Sequence, residues 1–281
     1  LTILNDGGSD LEWEIDLLDV IANFVDEYYN NAATELISGV DELGNKIIFE
    51  KLINHDLNRS RDVDYDADIV IIDSDYSAYT FFTLADLLIS FGFNNVTIQG
   101  FLDDNALDAD IIVTNDIFMW NHDQDDYNSI NSWINSGGLF LYSGDAMHQS
   151  NNIIDGINSI LEGSDIFFIN NFGCENANAS TIVDHPITYE INSYPMTSFN
   201  AGILNVSGSA ETLIYDCSGN QHLAYSELGS GMVIIVSDDE LTDTHIFESS
   251  AYSTLAINAI TWLTDNNAVN WLSTSPTSGT I

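Results

Sequence analysis

Short, almost wholly apolar segments that end in acidic or polar residues recur through the middle of the chain. They read ADIVIIDSD at 67–75, ADIIVTND at 109–116 and GLFLYSGDA at 138–146. Segments of this kind are typical of strands that are buried on both faces of a parallel sheet. Apolar residues at helical spacing mark the segments that follow them, at 79–93, 123–138 and 150–163. Because parallel strands need a crossover connection, this alternation predicts an α/β fold whose mostly parallel sheet is covered on both faces.

Neighbouring segments extend this pattern in both directions. Further strands are predicted at 94–101 and 165–172, and a final helix is predicted at 252–263. The turn Cys217-Ser-Gly-Asn predicts a hairpin within 212–239. Near the N-terminus, residues 35–53 fit either a hairpin or a short helix followed by a loop and a strand.

The charge of the chain is almost entirely negative. It contains 44 Asp and Glu against 4 Lys and Arg, a formal net charge of -40, while 45% of its residues are hydrophobic. This apolar content allows a full core and argues against a disordered acidic chain. The lack of a basic patch excludes nucleic-acid binding. No apolar run reaches the roughly 20 residues that cross a bilayer, so membrane insertion is not expected.

All four basic residues lie at 46–61, so the acidic remainder of the chain needs cations from solution to offset its self-repulsion. Three interpretations fit: an extracellular protein in calcium-bearing water, a protein of a salt-rich cytosol, and acidity that serves solubility alone. The abundance of Ile and Asn favours the extracellular or cell-surface location. Cys174 and Cys217 are compatible with one disulfide or with two buried thiols. Four N-x-S/T sequences permit glycosylation, at Asn58, Asn95, Asn178 and Asn205.

The two ends of the chain share a pattern of their own. A turn-rich strand pair spans Asn5 to Trp13, and WLSTSPTSG follows from Trp271 to Gly279. These ends resemble the two halves of BACON-like, immunoglobulin-type repeats of large secreted proteins; two unrelated turn-rich ends are the alternative. The resemblance implies β segments at 1–15 and 268–281, an accessory region at 16–65, and an α/β domain at 66–267. The absence of an initiating Met and of a leader pattern predicts a segment of a secreted precursor.

The α/β segment carries several motifs in a recognisable order. Besides the apolar strands, these are WINSGGLFLYSGD at 133–145, DHPI at 184–187, ELGSGMVIIVSDDEL at 227–241 and LAINAITWL at 255–263. Together they resemble the class I glutamine amidotransferase-like superfamily, in its ThuA-like and related branches without amidotransferase activity. The resemblance implies a flavodoxin-like three-layer sandwich.

The nucleophile of that superfamily is missing from this chain. True amidotransferases carry a cysteine on a tight G-x-C-x-G turn, where this sequence reads Tyr142-Ser143-Gly144-Asp145-Ala146. The remaining catalytic candidates are Ser143, Asp145 and His148, since a nucleophilic serine needs a neighbouring base. His185 in the DHPI motif is expected to be structural by the same resemblance. We therefore expect no amidotransferase chemistry.

Acidic residues follow several of the predicted strands. Because the carboxyl ends of parallel strands meet at one edge of a sheet, these side chains are expected to converge there. Hard oxygen ligands without a neighbouring Lys are what Ca²⁺ or Mg²⁺ requires. The sequence therefore predicts a calcium site formed by strand-end carboxylates, at Asp73, Asp75, Asp116, Asp145 and Asp238. The alternative is that these residues cap helices or face water. No organic cofactor is expected.

Two functions follow from these patterns. The first is a non-catalytic structural or interaction module of a large secreted, cell-surface or filament-forming protein, with neighbouring domains or further copies of itself as partners. The second is a hydrolase or small-ligand-binding domain that uses the crevice at the strand ends.

Overall fold

The computed structural model describes residues 37–40, 46–49, 63–73, 81–116, 118–144, 151–169, 173–174, 177–196, 201–242 and 245–270. The chain divides into two compact units, 1–58 and 59–281. In the first unit, β1 (Ile37–Val40) and β2 (Lys46–Phe49) pair antiparallel, which is the hairpin alternative for residues 35–53. The terminal segments 1–15 and 271–281, for which β structure is predicted, lie outside the described residues.

The second unit contains one large sheet, a separate pair of short strands, and the helices that cover the large sheet. Its strands are β3 (Asp68–Ile72), β4 (Asn95–Gln99), β5 (Ile111–Thr114), β6 (Leu139–Ser143), β7 (Ile166–Ile169), β8 (Ala177–Asn178), β9 (Thr181–Ile182), β10 (Pro195–Met196), β11 (Ile203–Val206), β12 (Glu211–Tyr215), β13 (Gln221–Leu228) and β14 (Gly231–Val236). Its helices are α1 (Phe82–Phe91), α2 (Phe118–Asn121), α3 (Gln124–Asn135), α4 (Asn151–Ile160) and α5 (Ser250–Asn270). Helix α5 extends three residues into the segment 268–281. Within the described ranges, no helix has the length and apolarity needed to cross a membrane.

Five strands of the sheet are parallel to one another, in the order β4-β3-β5-β6-β14. Numbered by their place along the chain, these five follow the order 2-1-3-4-5, which is that of flavodoxin-like folds. Every residue of β5 and of β6 is buried, as the apolar runs predict for strands covered on both faces. The structure confirms the predicted flavodoxin-like α/β architecture.

Two apolar cores lie on the two faces of the sheet. Ile69 and Ile71 of β3 belong to the core that contains α1 and α5, whereas Val70 and Ile72 belong to the core that contains α2, α3 and α4. The same alternation continues through β5, β6 and β14. Since successive residues of a strand point to opposite faces, this division follows directly from the extended backbone. The result is a three-layer sandwich.

The helices begin and end at residues suited to those positions. The Asp123 carboxylate accepts hydrogen bonds from the N–H groups of Asp125 (2.9 Å) and Asp126 (3.4 Å) at the start of α3. The Asp126 carboxylate accepts in return from the Asp123 N–H at 3.2 Å, which completes a capping box. Helix α1 ends at Gly92, whose φ of 119° favours glycine. These local signals explain why both helices lie where the sequence predicts them.

The other half of the sheet is antiparallel. β13 pairs with β14, β12 and β11, and β11 pairs in turn with β7 at the far edge. β9 pairs with β12, while β8 and β10 form a separate pair. The predicted hairpin turn at Cys217 joins β12 to β13. The strand predicted at 165–172 is β7, but it lies far from the parallel strands, because α4 leads it to the opposite edge of the sheet.

Side chains cover the outward edge of β7. The Asn158 amide accepts from the Phe168 N–H (2.8 Å) and donates to the Phe168 carbonyl (3.1 Å). The Ser164 hydroxyl bonds to the N–H (3.2 Å) and to the carbonyl (3.4 Å) of Ile166. The backbone groups of these two residues are thereby occupied within the chain, which is one way in which proteins protect an edge strand.

Candidate functional site at the carboxyl edge of the parallel strands

The strand order identifies the edge of the sheet at which flavodoxin-like folds bind ligands. The chain passes from β3 to β4 on one side and then crosses to β5 on the other side of β3, so the switch point lies between the carboxyl ends of β3 and β5. Asp73 follows β3, and Asn115 and Asp116 follow β5. Ser143 ends β6, and an acidic run from Asp238 to Glu240 follows β14.

Asp73 is engaged with the start of a helix. Its side chain is only 9% exposed, and its Oδ2 accepts a hydrogen bond from the N–H of Phe81, the residue that precedes α1, at 3.1 Å. A carboxylate in this position satisfies a backbone donor at the helix N-terminus and interacts favourably with the helix dipole. This contact matches the helix-capping alternative for a strand-end acid.

Ser143 lies in the interior, bonded to the segment that follows β14. It is 0% exposed, its Oγ donates to the Asp238 carbonyl at 2.8 Å, and the same Oγ accepts from the Leu241 N–H at 3.2 Å. The next residue, Gly144, has no room for a side chain, since a Cβ there would lie 2.6 Å from the Asp116 nitrogen. Ser143 therefore ties β6 to the chain after β14 and is not presented to solvent. The other two catalytic candidates, Asp145 and His148, lie outside the described residues.

The acidic run after β14 is folded inward. Asp238 and Glu240 are 0% exposed, and Asp239 is 7% exposed. The Asp238 Oδ1 accepts from the Asp239 N–H at 2.9 Å. His245 lies between two acids, with its Nε2 3.6 Å from Asp239 Oδ2 and its Nδ1 3.2 Å from Glu248 Oε2. Most of this strand-end acidity thus faces protein groups.

A buried group around His222 was not among the residues selected from the sequence. His222 of β13 is 1% exposed, with its Nε2 2.9 Å from Glu240 Oε1 and its Nδ1 3.1 Å from Ser237 Oγ. Burial lowers the pKa of His222 to about 4, although the charges of Asp238 and Asp216 act in the opposite direction. The imidazole is therefore neutral at pH 7. The only sequence signal for this group is a polar residue inside an apolar strand, and no spacing links β13 to the acids after β14.

Two other histidines have structural contacts. His122 Nε2 accepts from the Leu102 N–H at 3.2 Å, and its ring stacks on Phe118 with centroids 3.8 Å apart. His185 Nδ1 accepts from the Ile187 N–H at 3.1 Å at the start of a 3-10 turn, Pro186–Thr188, and its ring stacks on Tyr225. Neither ring lies against Ser143. The role expected for His185 agrees with these contacts.

The calcium hypothesis remains a prediction. Among the described residues, no group of three or more His, Cys, Asp or Glu side chains is placed to hold a metal ion. Of the five predicted ligands, Asp75 and Asp145 lie outside those residues. The Asp73 carboxylate bonds to the N–H that precedes α1, Asp116 is partly buried, and Asp238 is buried.

The two cysteines form a disulfide beside a well-bonded aspartate. Cys174 and Cys217 are joined with Cα atoms 5.5 Å apart. The Asp216 carboxylate accepts four hydrogen bonds of 2.8 Å, from the N–H groups of Cys174, Ser218 and Asn220 and from the Asn220 side chain. Burial raises the pKa of Asp216, but these donors outweigh it and the net pKa lies below the usual value. The predicted hairpin turn is thus held by both a covalent bond and a carboxylate.

The potential glycosylation sites differ in their surroundings. Asn95, Asn178 and Asn205 are exposed, while Asn58 lies outside the described residues. The Asn95 side chain donates to the Asp66 carbonyl at 2.8 Å. Asn178 and Asn205 lie in strands, opposite Pro195 and Phe167 respectively.

Comparison with known proteins identifies the fold alone. No protein-family model matches the chain, and no curated protein matches it. The mmIFT52 N-terminal domain aligns with a TM-score of 0.51 and 16% identity over 70% of this chain and 97% of that one. Cytoplasmic protein STM3548 from Salmonella typhimurium aligns with a TM-score of 0.51 and 16% identity over 70% and 98%. A putative GMP synthase component from Thermoplasma acidophilum aligns with a TM-score of 0.46 and 12% identity over 72% and 96%.

Proposed function

We propose that the α/β unit is a non-catalytic structural or interaction module of a large secreted, cell-surface or filament-forming protein, stabilised by divalent cations. It would be an amidotransferase-like domain that has lost the nucleophile cysteine. The observation that carries the proposal is the burial of Ser143 at the position of that cysteine. Its hydroxyl is used twice, by Asp238 and by Leu241, so the nucleophile position has become an internal tie.

The surroundings of Ser143 support the same proposal. A serine nucleophile requires a base within hydrogen-bond reach and a path for substrate. The described histidines have other neighbours: His122 stacks on Phe118, and His222 contacts Glu240 and Ser237. Hydrogen bonds among the polar groups at the carboxyl edge of the sheet make that edge rigid, and rigidity suits a module in a larger assembly.

Divalent cations enter the proposal through the charge of the whole chain. A net charge of -40 destabilises a compact state by self-repulsion, and cations reduce that cost. Because the described residues hold no ready-made metal cluster, we expect the effect of divalent cations to depend on the predicted strand-end ligands, which include Asp75 and Asp145 outside those residues.

A small-ligand-binding or hydrolytic domain is the alternative function, and the strand order favours it. The switch point between β3 and β5 is where flavodoxin-like folds bind ligands. Asp73 and Asp116 flank this point, so a polar ligand with hydrogen-bond donors is the class that would suit it.

The decisive experiment compares wild type with Ser143→Ala on a panel of ester, amide and glutamine substrates. Ser226→Ala is the matched control, because Ser226 is also a buried strand serine, 1% exposed. We expect equal background rates in all three proteins. Ser143→Ala should also lower the free energy of unfolding by about 1–3 kcal/mol, because a buried N–H and a buried carbonyl lose their partner. Turnover that Ser143→Ala abolishes and Ser226→Ala retains would establish the alternative.

Sedimentation velocity tests the interaction part of the proposal. The full chain is compared in millimolar CaCl₂ or MgCl₂ and in NaCl of equal ionic strength. We expect divalent ions to promote reversible self-association more than NaCl does. Monomers in every salt would contradict self-association and would leave neighbouring domains as the partner.

A further inference from the structure

An exposed aromatic ring lies directly across the sheet from one of the glycosylation sequences. Phe167 of β7 pairs with Asn205 of β11 in antiparallel register. Asn205 begins the sequence Asn205-Val-Ser207. Side chains of directly opposed residues lie on the same face of a sheet, with Cβ atoms about 4.5–5.5 Å apart.

The side chains of Phe167 and Asn205 lie on the face of the sheet opposite to the apolar core that contains α4. Ile166 and Phe168, the neighbours of Phe167 in β7, belong to the core formed with α2, α3 and α4. Phe167 points to the other face and is 51% exposed, and Asn205 is exposed beside it. An apolar ring left in water next to an accessible side-chain amide has surface available to a third group.

Phe167 and Asn205 also line a groove of about 610 Å³ along the outer edge of β7. Three acidic residues and no basic residue also line this groove, at Asp155, Glu162 and Asp165. An acidic lining repels anions, and carboxylates can accept hydrogen bonds from hydroxyl groups. A neutral sugar, with an apolar ring face and a hydroxyl edge, fits this combination.

The other N-x-S/T sequences in the described residues, at Asn95 and Asn178, lack this arrangement. The Asn95 Nδ2 already donates to the Asp66 carbonyl at 2.8 Å, a bond that a glycan on that nitrogen would disturb. Asn178 lies opposite Pro195 in a two-residue strand. Asn205 is therefore distinguished by an aromatic partner at cross-strand distance.

We infer that Asn205 is an N-glycosylation site whose first sugar packs on the ring of Phe167. The inference rests on the export of the chain that the proposed function includes. In the transfer step the Asn205 Nδ2 attacks C1 of an oligosaccharide carried on a lipid phosphate. A C1–N bond replaces the C1–O bond, the lipid phosphate leaves, and the amide proton passes to a base of the transferase.

The test begins with secretion of the full chain from a host that N-glycosylates proteins. Glycopeptide mass spectrometry measures occupancy, with Asn205→Gln as the unmodified reference. We expect Asn205 to be occupied in the secreted wild type. A secreted chain that is unmodified at Asn205 overturns the inference.

The second measurement isolates the sugar–ring contact. Glycans are trimmed to a single sugar, and melting temperatures are compared in wild-type, Phe167→Ala and Phe101→Ala backgrounds, each with and without Asn205→Gln. Phe101 is the matched control, because it is 71% exposed and is not paired with a sequon. We expect the sugar to raise Tm by about 2–4 °C in the wild-type and Phe101→Ala backgrounds, the scale of one added contact in a domain of this length, and to have no effect in Phe167→Ala.

An equal gain in Tm in Phe167→Ala overturns the stacking geometry. Neither measurement depends on Ser143 or on self-association. Failure here is therefore distinguishable from failure of the proposed function, which is decided by the hydrolysis and sedimentation experiments.

Discussion

The disulfide between Cys174 and Cys217 allows a quantitative prediction. The two residues are 43 positions apart, so the bond closes a loop of that size in the unfolded chain. In the loop-entropy model, a loop of about 43 residues loses about 13 cal/mol/K, which is about 4 kcal/mol at 25 °C. Replacing both cysteines by alanine should therefore lower the free energy of unfolding by about 4 kcal/mol.

The native structure is expected to survive this change. The Asp216 carboxylate bonds to the N–H groups of Cys174, Ser218 and Asn220, all at 2.8 Å, and these bonds do not require the sulfur atoms. With the turn held in place, the main effect of losing the bond is on the unfolded chain. This is the condition under which the loop-entropy estimate applies.

The assay is urea unfolding followed by tryptophan fluorescence, for wild type with and without a phosphine reductant and for the double variant. We expect reduced wild type and the double variant to agree, with a free energy of unfolding about 4 kcal/mol below that of the oxidised protein. In parallel thermal melts their Tm should lie about 8–16 °C below that of the oxidised protein. The double variant serves as its own control, because reductant should not affect it. A loss below about 1 kcal/mol would refute the reasoning, since it would mean that the loop is already constrained in the unfolded chain.

Three further predictions concern buried and acidic groups. The pKa of His222 is lowered from 6.5 to about 4 in the folded protein, so the free energy of unfolding of wild type should fall by about 3 kcal/mol between pH 6.5 and pH 4. In chemical unfolding, the free energy of His222→Gln should depend less on pH over this range. Asp216→Asn should lower the free energy of unfolding by about 3 kcal/mol at pH 7, because the new amide group would face hydrogen-bond donors. Since the pKa of Asp216 is lowered in the folded protein, the stability that its carboxylate contributes should disappear as the pH falls below 3.8. An equal loss of stability in acid in the variant and in wild type would contradict this. Calcium should raise Tm more than NaCl of equal ionic strength in a thermal-shift titration, and Asp73→Asn with Asp145→Asn should abolish the difference; equal curves with and without chelator would exclude the calcium site.

The parallel half of the fold was predictable because its signals are local. β3, β5 and β6 are apolar runs long enough to be buried on both faces, and Gly92 and Asp123 mark helix boundaries by their own conformation and hydrogen bonds. The antiparallel half was harder. The pattern of β7 identifies a strand, but nothing in it specifies that the partner is β11, about 35 residues further along the chain.

For the candidate site, the sequence indicates which polar residues follow the strands but not which contacts their side chains make. The sequence shows that polar residues follow the strands and that Ser143 ends β6 without a neighbouring cysteine. The burial of these residues is not visible in the sequence. Ser143 bonds to residues 95 and 98 positions away, and His222 contacts Glu240 only because the fold brings β13 close to the segment after β14. Contacts of this range are set by the packing of whole elements.

The covered edge of β7 matters most when many copies of this domain are held close together. Tethering or repetition raises the local concentration of identical strands, and an open edge would then recruit its neighbour into a continuous cross-β array. Asn158 and Ser164 remove the docking points at Phe168 and Ile166, as a second strand would have to displace four side-chain hydrogen bonds before forming its own. A molecule protected in this way can be packed closely against its neighbours by its other surfaces without polymerising through the β7 edge of its sheet.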